Sequence, residues 1–335
     1  MQIQIDNTVI NLGAEELSAI TKIQDLRKSK VLYLIAAENV QLRDDICLET
    51  FGLLRDLGHH EQIDMILSSR GGATEVPAKL VPLIRNYCDR FNVIIPYRAH
   101  SAATHIALGA NEIVMGPMSE LGPVDPSRTH PLLPKDKDGN SIPISVQDLK
   151  HVVDLLKREG AGQNYTPESL AIIFSKMFEY VHPLAMGAIE QSYALAKLIS
   201  KKLLETHMDP EQDKGLIDRI ADELSDGFKS HMYQISWREA KSLGLPVVFD
   251  DGEIYAETWK LYTQMNEKLL AAKPVPPGTK AISHPILMLG TENSKSVLFE
   301  FNELQQEGAL AKMRPIGGQW FSSKNLPKQK PEGGA

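Results

Sequence analysis

VIIPYRAHSAATHIALGANEIVMGPMSELGPVDP, running from Val93 to Pro126, makes three statements in order. Val93 to Tyr97 is a short β-branched run, the pattern of a buried strand. The turn Arg98-Ala99-His100-Ser101 then opens a segment whose apolar positions Ala102, Ile106, Leu108 and Ala110 suit a buried helix. Glu112 to Met115 reads as another short strand, followed by the Gly/Pro bend from Leu121 to Pro126. A serine that opens a helix directly after a strand stands at a helix N-terminus. Unpaired N–H groups and the helix dipole stabilise negative charge there. The position suits a nucleophile. It equally suits a small residue chosen to cap the helix, and the spacing alone leaves both readings open.

Outward from this stretch the same alternation continues. Val31 to Ala36 is a continuous apolar run, typical of a strand covered on both faces. Asp44 to Leu57 places Ile46, Leu48, Phe51, Leu54 and Leu57 at helical spacing. Ile63 to Leu67 predicts the next strand, Val76 to Phe91 the next helix, and Ala14 to Arg27 a helix before them all. Strands alternating with helices predict an α/β fold with right-handed crossovers. Residues 127 to 143 form a polar loop, long enough for a flap over a site. Helix is expected to resume near Ser145 and to run through 167 to 206, broken or kinked at Pro183. Short elements follow at Trp237 to Leu243 and Leu245 to Phe249, then a helix from Tyr255 to Ala272 and a Pro-rich linker over 273 to 278. Pro285 to Phe301 is apolar enough for a strand pair or a docking arm.

Taken together, His100-Ser101-Ala102-Ala103, the run Ile106 to Met115, Leu121 to Pro126 and the strand-plus-double-glycine Ile66 to Gly72 resemble the serine peptidases of the Clp protease/crotonase superfamily. So do Leu224-Ser225-Asp226-Gly227, Glu239-Ala240 and Leu243-Gly244-Leu245. Within that superfamily the chain is most similar to the signal peptide peptidase A and serine dehydrogenase proteinase branch, over roughly residues 30 to 250. The resemblance implies a spiral of β-β-α units with added helices and a C-terminal extension. The division expected is an N-terminal cap or arm over 1–30, a Clp/crotonase-like serine peptidase domain over 31–254, a C-terminal helix and docking extension over 255–323, and a disordered tail over 324–335.

The resemblance also implies roles. Ser101 would be the nucleophile of a peptidase acting on unfolded proteins or peptides, with a base to take its proton and donors for the oxyanion. Gly71 and Gly72 let the main chain approach a scissile carbonyl, and the amides of Gly72 and Ala102 are the expected oxyanion hole. The Clp proteolytic subunit takes its base from a histidine downstream of the serine, but here that region reads Val124-Asp125-Pro126. The signal peptide peptidase branch uses a lysine from a later helix, and Lys150 lies 49 residues after Ser101 in the matching segment Ile144 to Val153. A lysine serves as a base near neutrality only where burial or positive charge lowers its pKa. Lys135, Lys137 and Lys157 are lesser candidates. Asp125 and His105 are supporting candidates with ordinary structural alternatives, a strand turn and a packed core histidine. Arg70 stands where many relatives carry an uncharged residue; it would recognise a carboxylate or pair with an acid. Relatives form rings or stacked oligomers, which implies a homo-oligomer, with any separate ATPase partner unknown.

Two rival readings stay open. One is a peptidase-fold scaffold or peptide-binding subunit without activity, motivated by the missing histidine. The other is a crotonase-like acyl-CoA enzyme, for which Glu120 is the nearest acid. No cofactor is expected. The histidines, among them His59, His60, His100, His105, His130 and His151, show no HExxH or Cys/His spacing, so no metal is expected. There is no GxGxxG or P-loop sequence.

The remaining classes fall to composition. With 42% hydrophobic and 24% charged residues and a net charge of -7, the chain reads as globular, with no basic run for nucleic acid. The N-terminus shows no signal peptide, and no apolar run approaches the roughly 20 residues of a membrane span. A cytoplasmic protein is expected, with Cys47 and Cys88 buried and reduced.

Overall fold

The computed structural model describes residues 7–124, 127–128, 131–137, 139, 142, 144–145, 151–152, 154–155, 158, 166–228, 230–270, 281–307 and 310–325. Its centre is a parallel sheet wound as the sequence predicts. After the short α1 (Asn7–Ile10) and α2 (Ala14–Arg27) come β1 (Lys30–Ala36), α3 (Asp45–Leu57), β2 (His60–Ser68), α4 (Glu75–Arg85) and β3 (Cys88–Ile95). They are followed by β4 (Arg98–Ala99), α5 (Ala102–Leu108), β5 (Glu112–Met115) and β6 (Glu120–Leu121). The pair β7 (Ser127–Arg128) and β8 (Ile144–Ser145) is antiparallel. Helices α6 (Pro167–Tyr180), α7 (Pro183–Leu204) and α8 (Lys214–Asp222) lead to β9 (Ile235–Ser236), α9 (Trp237–Leu243), β10 (Val247–Phe249) and α10 (Glu253–Leu270). The strands β11 (Ala281–Gly290), β12 (Lys295–Glu307) and β13 (Leu310–Ser322) complete the chain's large sheet, whose order is β10-β5-β3-β2-β1-β11-β12-β13.

Why these runs are strands shows in which way they face. Both faces of β1 are buried, so it is apolar without alternation. Its odd and even residues still part: Leu32, Leu34 and Ala36 enter the core under α3, α4, α5 and α7, while Val31, Tyr33 and Ile35 meet α1, α2 and α10. The neighbouring strands keep that parity, with Met65 and Leu67 or Val93 and Ile95 on the first face and Ile66 and Ile94 on the second. Each fully buried Val, Leu, Ile or Met side chain among them contributes about 1.5–3 kcal/mol.

Two boundaries depart most from the sequence reading. The helix expected over Val76 to Phe91 ends at Arg85, and Cys88 to Arg90 are already strand. Parallel pairing of His60 with Cys88 and of Gln62 with Arg90 overrides the helical spacing of Ile84, Cys88 and Phe91. The helix expected from Ser145 is replaced at its start by the β7–β8 pair. Pro183 breaks the long helical run, as predicted, by standing at the first position of α7. The C-terminal extension continues the sheet, since β11 pairs antiparallel with β1 from Tyr33↔Gly290 to Ala36↔Leu287. Cys47 and Cys88 are buried free thiols. The linker over 273–278, positions 129–130, 138, 140–141 and 143 of the loop over 127–143, and the tail beyond Asn325 lie outside the described residues.

The N-terminal helix is fastened to the C-terminal strands by buried charge. Glu16 closes the start of α2 by accepting the Gly13 N–H at 2.9 Å, and is 2% exposed. Lys295 of β12, fully buried, puts its Nζ 3.4 Å from both Glu16 oxygens, and Lys268 of α10 donates to Glu16 Oε1 at 2.6 Å. Burial pushes the Lys295 ammonium down to about 8, with Lys268 adding to the fall and Glu16 opposing it. At Glu16 burial works to raise the carboxyl, and Lys295, Lys268 and the Gly13 N–H outweigh it.

Removing one partner of a buried pair leaves the other uncompensated. Glu16→Gln is therefore expected to cost about 3–5 kcal/mol in denaturant unfolding near pH 7. Because the folded pKa of Lys295 lies below the ordinary 10.5, the folded state gives up this proton first, and native stability rises as pH climbs from about 8 to 10.5. Glu16 opposes that fall, so Glu16→Gln lowers the Lys295 pKa further. Its cost should shrink as pH rises toward about 8 and level off above it, and urea titrations at several pH values would read it. A cost independent of pH would refute the assignment.

Candidate active site

All three loops of the candidate site leave the C-terminal ends of parallel strands, the usual edge for a site in such sheets. They are laced together by main-chain hydrogen bonds that continue past the strands. Ser69 donates to the Arg98 carbonyl and accepts from the His100 N–H, both at 3.0 Å. Leu42 donates to the Gly71 carbonyl at 2.8 Å and accepts from the Ala73 N–H at 2.9 Å. The result presses the double-glycine loop against the turn that carries Ser101. A Cβ on Gly71 would stand 2.5 Å from the His100 carbonyl oxygen, 2.8 Å from the Ala102 nitrogen and 2.9 Å from Ser101 Cβ. A Cβ on Gly72 would overlap Leu42, 2.2 Å from its nitrogen. Close approach of backbone to backbone explains both glycines.

Ser101 occupies φ 52°, ψ -117°, one of two non-glycine residues with positive φ among those described. Such a conformation costs about 1–3 kcal/mol. The half-buried serine opens α5, yet its hydroxyl makes no capping bond to that helix. The capping alternative thus does not describe this side chain. Around it, the Gly71 N–H is engaged by Ser69 Oγ at 3.0 Å. Among the described residues neither the Gly72 nor the Ala102 N–H meets an acceptor. Two donors from facing loops are what an oxyanion would use.

The other candidates fall in three places. His105, buried on α5, is turned to α7, its Nε2 3.1 Å from the Ala196 carbonyl and 3.0 Å from Ser200 Oγ. Burial pushes its pKa down to about 4, the Ala196 carbonyl opposing. That is a packed core histidine. Arg70 turns to Glu38, with which it forms an ion pair. Lys150, Lys157 and Asp125 lie outside the described residues, while Lys135 and Lys137 are exposed.

The structure adds a charged cluster beside the serine. Arg98 Nη1 also holds Glu38, at 2.9 and 3.0 Å from its two oxygens. His100, its ring laid on Gly122, puts Nε2 3.1 Å from Glu120 Oε1, without the alignment of a hydrogen bond. Arg98 Nε is 3.8 Å from the same oxygen. Burial pushes the His100 imidazole down to about 4, helped by Arg70, Arg98 and His231 and opposed by Glu38. Burial raises the Glu120 carboxyl, with Arg98 and Arg70 pulling it back. At Glu38 burial is outweighed by Arg70 and Arg98, which hold its carboxyl below the ordinary range. No sequence pattern joins His100 to Glu120, and none joins Glu38 to an arginine 60 positions away.

Comparison with known proteins bears on this part of the chain. Residues 45–132 match the family model of the ClpP-like SDH-type serine proteinases. The resemblance read in the sequence holds. The matched segment contains the double-glycine loop, Ser101 and α5. Two uncharacterized proteins of Methanocaldococcus jannaschii are 25% identical over 217 residues and 24% identical over 212 residues. The matches take in 64% and 63% of this chain but only 64% and 59% of those relatives' lengths. Among solved structures, the chain is similar to the membrane-bound stomatin-specific protease 1510-N in complex with a substrate peptide, at 19% identity and TM-score 0.35, covering 67% of this chain and 76% of that one. It is also similar to the ClpP protease catalytic domain from Plasmodium falciparum, at 12% identity and TM-score 0.37, covering 76% and 96%. Among the described residues no helix is long and apolar enough to cross a membrane, and no cluster of metal-binding side chains occurs.

The glycine loop offers a test of packing that needs no activity. Gly71→Ala and Gly72→Ala force a Cβ into backbone atoms, the first at φ 95°, and each is expected to destabilise by more than about 1 kcal/mol. Gly52→Ala, with nothing within 4 Å in mid-helix α3, should instead stabilise by about 0.5–1 kcal/mol. Thermal unfolding of the three variants would decide; a neutral Gly72→Ala would contradict the close contact with Leu42.

Proposed function

We propose that this chain is a serine endopeptidase that hydrolyses peptide bonds in unfolded proteins or peptides. The observation that carries the reading is Ser101 itself: a hydroxyl held on a strained strand-to-helix turn, not spent on capping, beside two N–H donors that meet no acceptor among the described residues. Strain of this kind persists only where the surroundings over-determine it, and it clusters at functional sites. In this reading Ser101 Oγ attacks the scissile carbonyl, and the Gly72 and Ala102 N–H groups receive the oxygen that becomes negative. The start of α5 adds its partial positive charge. Lys150 accepts the serine proton and returns it to the leaving amine; this assignment comes from the resemblance to the signal peptide peptidase branch. His105 stays outside the mechanism because its ring is enclosed against α7. Assembly into a homo-oligomer that sequesters the site, and a cytoplasmic location, belong to the same proposal.

The test is cleavage of an unfolded casein-like substrate by the parent chain, Ser101→Ala and Lys150→Ala, with intact-mass detection of a fluorophosphonate adduct. Both variants are expected to lose at least about 10³-fold in turnover, with the adduct on Ser101 only. Undiminished cleavage by Ser101→Ala would remove the serine from the mechanism. Loss in Ser101→Ala alone would assign the base to another group.

A further inference from the structure

The charged cluster beside Ser101 has an imbalance of hydrogen-bonding groups. Arg70 and Arg98 bring five N–H donors each. Their acceptors among the described residues are the two oxygens of Glu38 and the hydroxyl of Tyr97. Three of the arginine nitrogens crowd onto Glu38 Oε1 alone. Deeper in, Arg98 Nε is buried with no hydrogen-bond partner among the described residues, as are His100 Nε2 and Glu120 Oε1 nearby. Of the two carboxylates, Glu120 is enclosed at 14% side-chain exposure, whereas Glu38 is 51% exposed and free to swing into water. Arg70 is 31% exposed and precedes Gly71 directly, one Cα step of about 3.8 Å from the glycine whose Cβ position touches Ser101.

We infer that Arg70 and Arg98 form a carboxylate-binding clamp beside the scissile position, in which Glu38 is an internal stand-in that a substrate carboxylate displaces. The inference rests on the peptidase reading and names its substrate class: peptides carrying a carboxylate next to the bond to be cut. Two planar guanidiniums converge on one exposed carboxylate, Arg70 through Nε and Nη2 on Oε1 and Arg98 through Nη1 on both oxygens. A substrate carboxylate that is not tethered to this loop would take the paired N–H···O bonds by which arginine recognises such groups. The loop bearing Glu38 is tied to the Arg70 loop at Leu42, which bonds Gly71 and Ala73, so the exchange needs only the half-exposed Glu38 side chain to swing out, with no main chain moving. Glu120 and His100 remain beneath as the fixed floor.

Binding separates this inference from catalysis. Labelled peptides differing only in Glu, Gln or Lys at one site, with amidated C-termini, would be titrated onto the full chain carrying Ser101→Ala, which retains the clamp. A fourth peptide, with Gln and a free C-terminus, distinguishes a terminal carboxylate from a side-chain one. The peptide with the recognised carboxylate should bind about tenfold more tightly than the amidated Gln peptide, and Arg70→Gln should erase that difference. Glu38→Gln, at an exposed side chain, should shift binding the opposite way, tightening the carboxylate peptide several-fold, and it serves where Arg70→Gln fails to fold. Equal affinity for all four peptides, no binding by any, or an Arg70→Gln loss shared equally by Gln and Lys peptides overturns the clamp. Carboxylate selectivity in a chain that never cleaves would uphold the clamp while refuting the peptidase reading.

Discussion

Everything at the candidate site depends on main-chain hydrogen bonding that does not stop where the strands stop. Ser69 bridges the end of β2 to the Arg98–His100 segment, and Leu42 bridges the end of β1 to the glycine loop. These are ordinary amide contacts of 2.8 to 3.0 Å, each worth only about 0.5–1.5 kcal/mol net. Their importance is geometric. With both sides of the glycine loop tethered, the loop cannot retreat from Ser101, and a side chain at position 71 or 72 has nowhere to go. The same tethering sustains a serine backbone conformation that would relax if the turn were free. A site on loops thereby acquires the rigidity of the sheet behind it.

Charge is handled differently at different depths. Asp64, fully buried, is satisfied on all sides by Arg27, Ser29, Gln62 and Asn92. Glu16 with Lys268 and Lys295 is likewise closed, and both sets tie elements distant in sequence into one body. The cluster of Glu38, Arg70, Arg98, His100 and Glu120 is different in kind, because several of its buried polar atoms stand within reach of partners without being aligned to them. Fully satisfied networks rigidify a fold, whereas partly satisfied ones are where a structure retains unspent interaction.

Much of this was legible in the chain. The doubly covered strands announced themselves as apolar runs because both faces are buried, and α2, β5 and α9 fall on the residues that periodicity and turn chemistry indicated. Ser101 and the double glycine could be found because they are local motifs on a strand-helix boundary. Cys88 to Arg90 were misread as helix because a one-dimensional period cannot see the parallel partner strand that claims them. The Glu38–Arg98 contact was invisible for a similar reason: an ion pair leaves no trace in spacing when 60 positions separate its members. His105 shows the opposite trap. It lies one helical turn beyond Ser101, and only the position of α7 reveals that it faces the core.

The antiparallel seam between β1 and β11 has a consequence for how the molecule comes into being. Leu34 pairs with Leu289, so one edge of the parallel core is closed by residues made 255 positions later. Closing so large a loop is slow relative to local helix formation, and chains of this size fold through intermediates. During synthesis β1 emerges early and must wait with one edge unpaired, while Tyr33 and Ile35 lack the α10 residues that cover them. The loop after β1, which bears Glu38 and Leu42, is anchored by that strand. Maturation of the site is therefore tied to arrival of the C-terminal strands, and a nascent chain carries its serine well before it carries the finished scaffold around it.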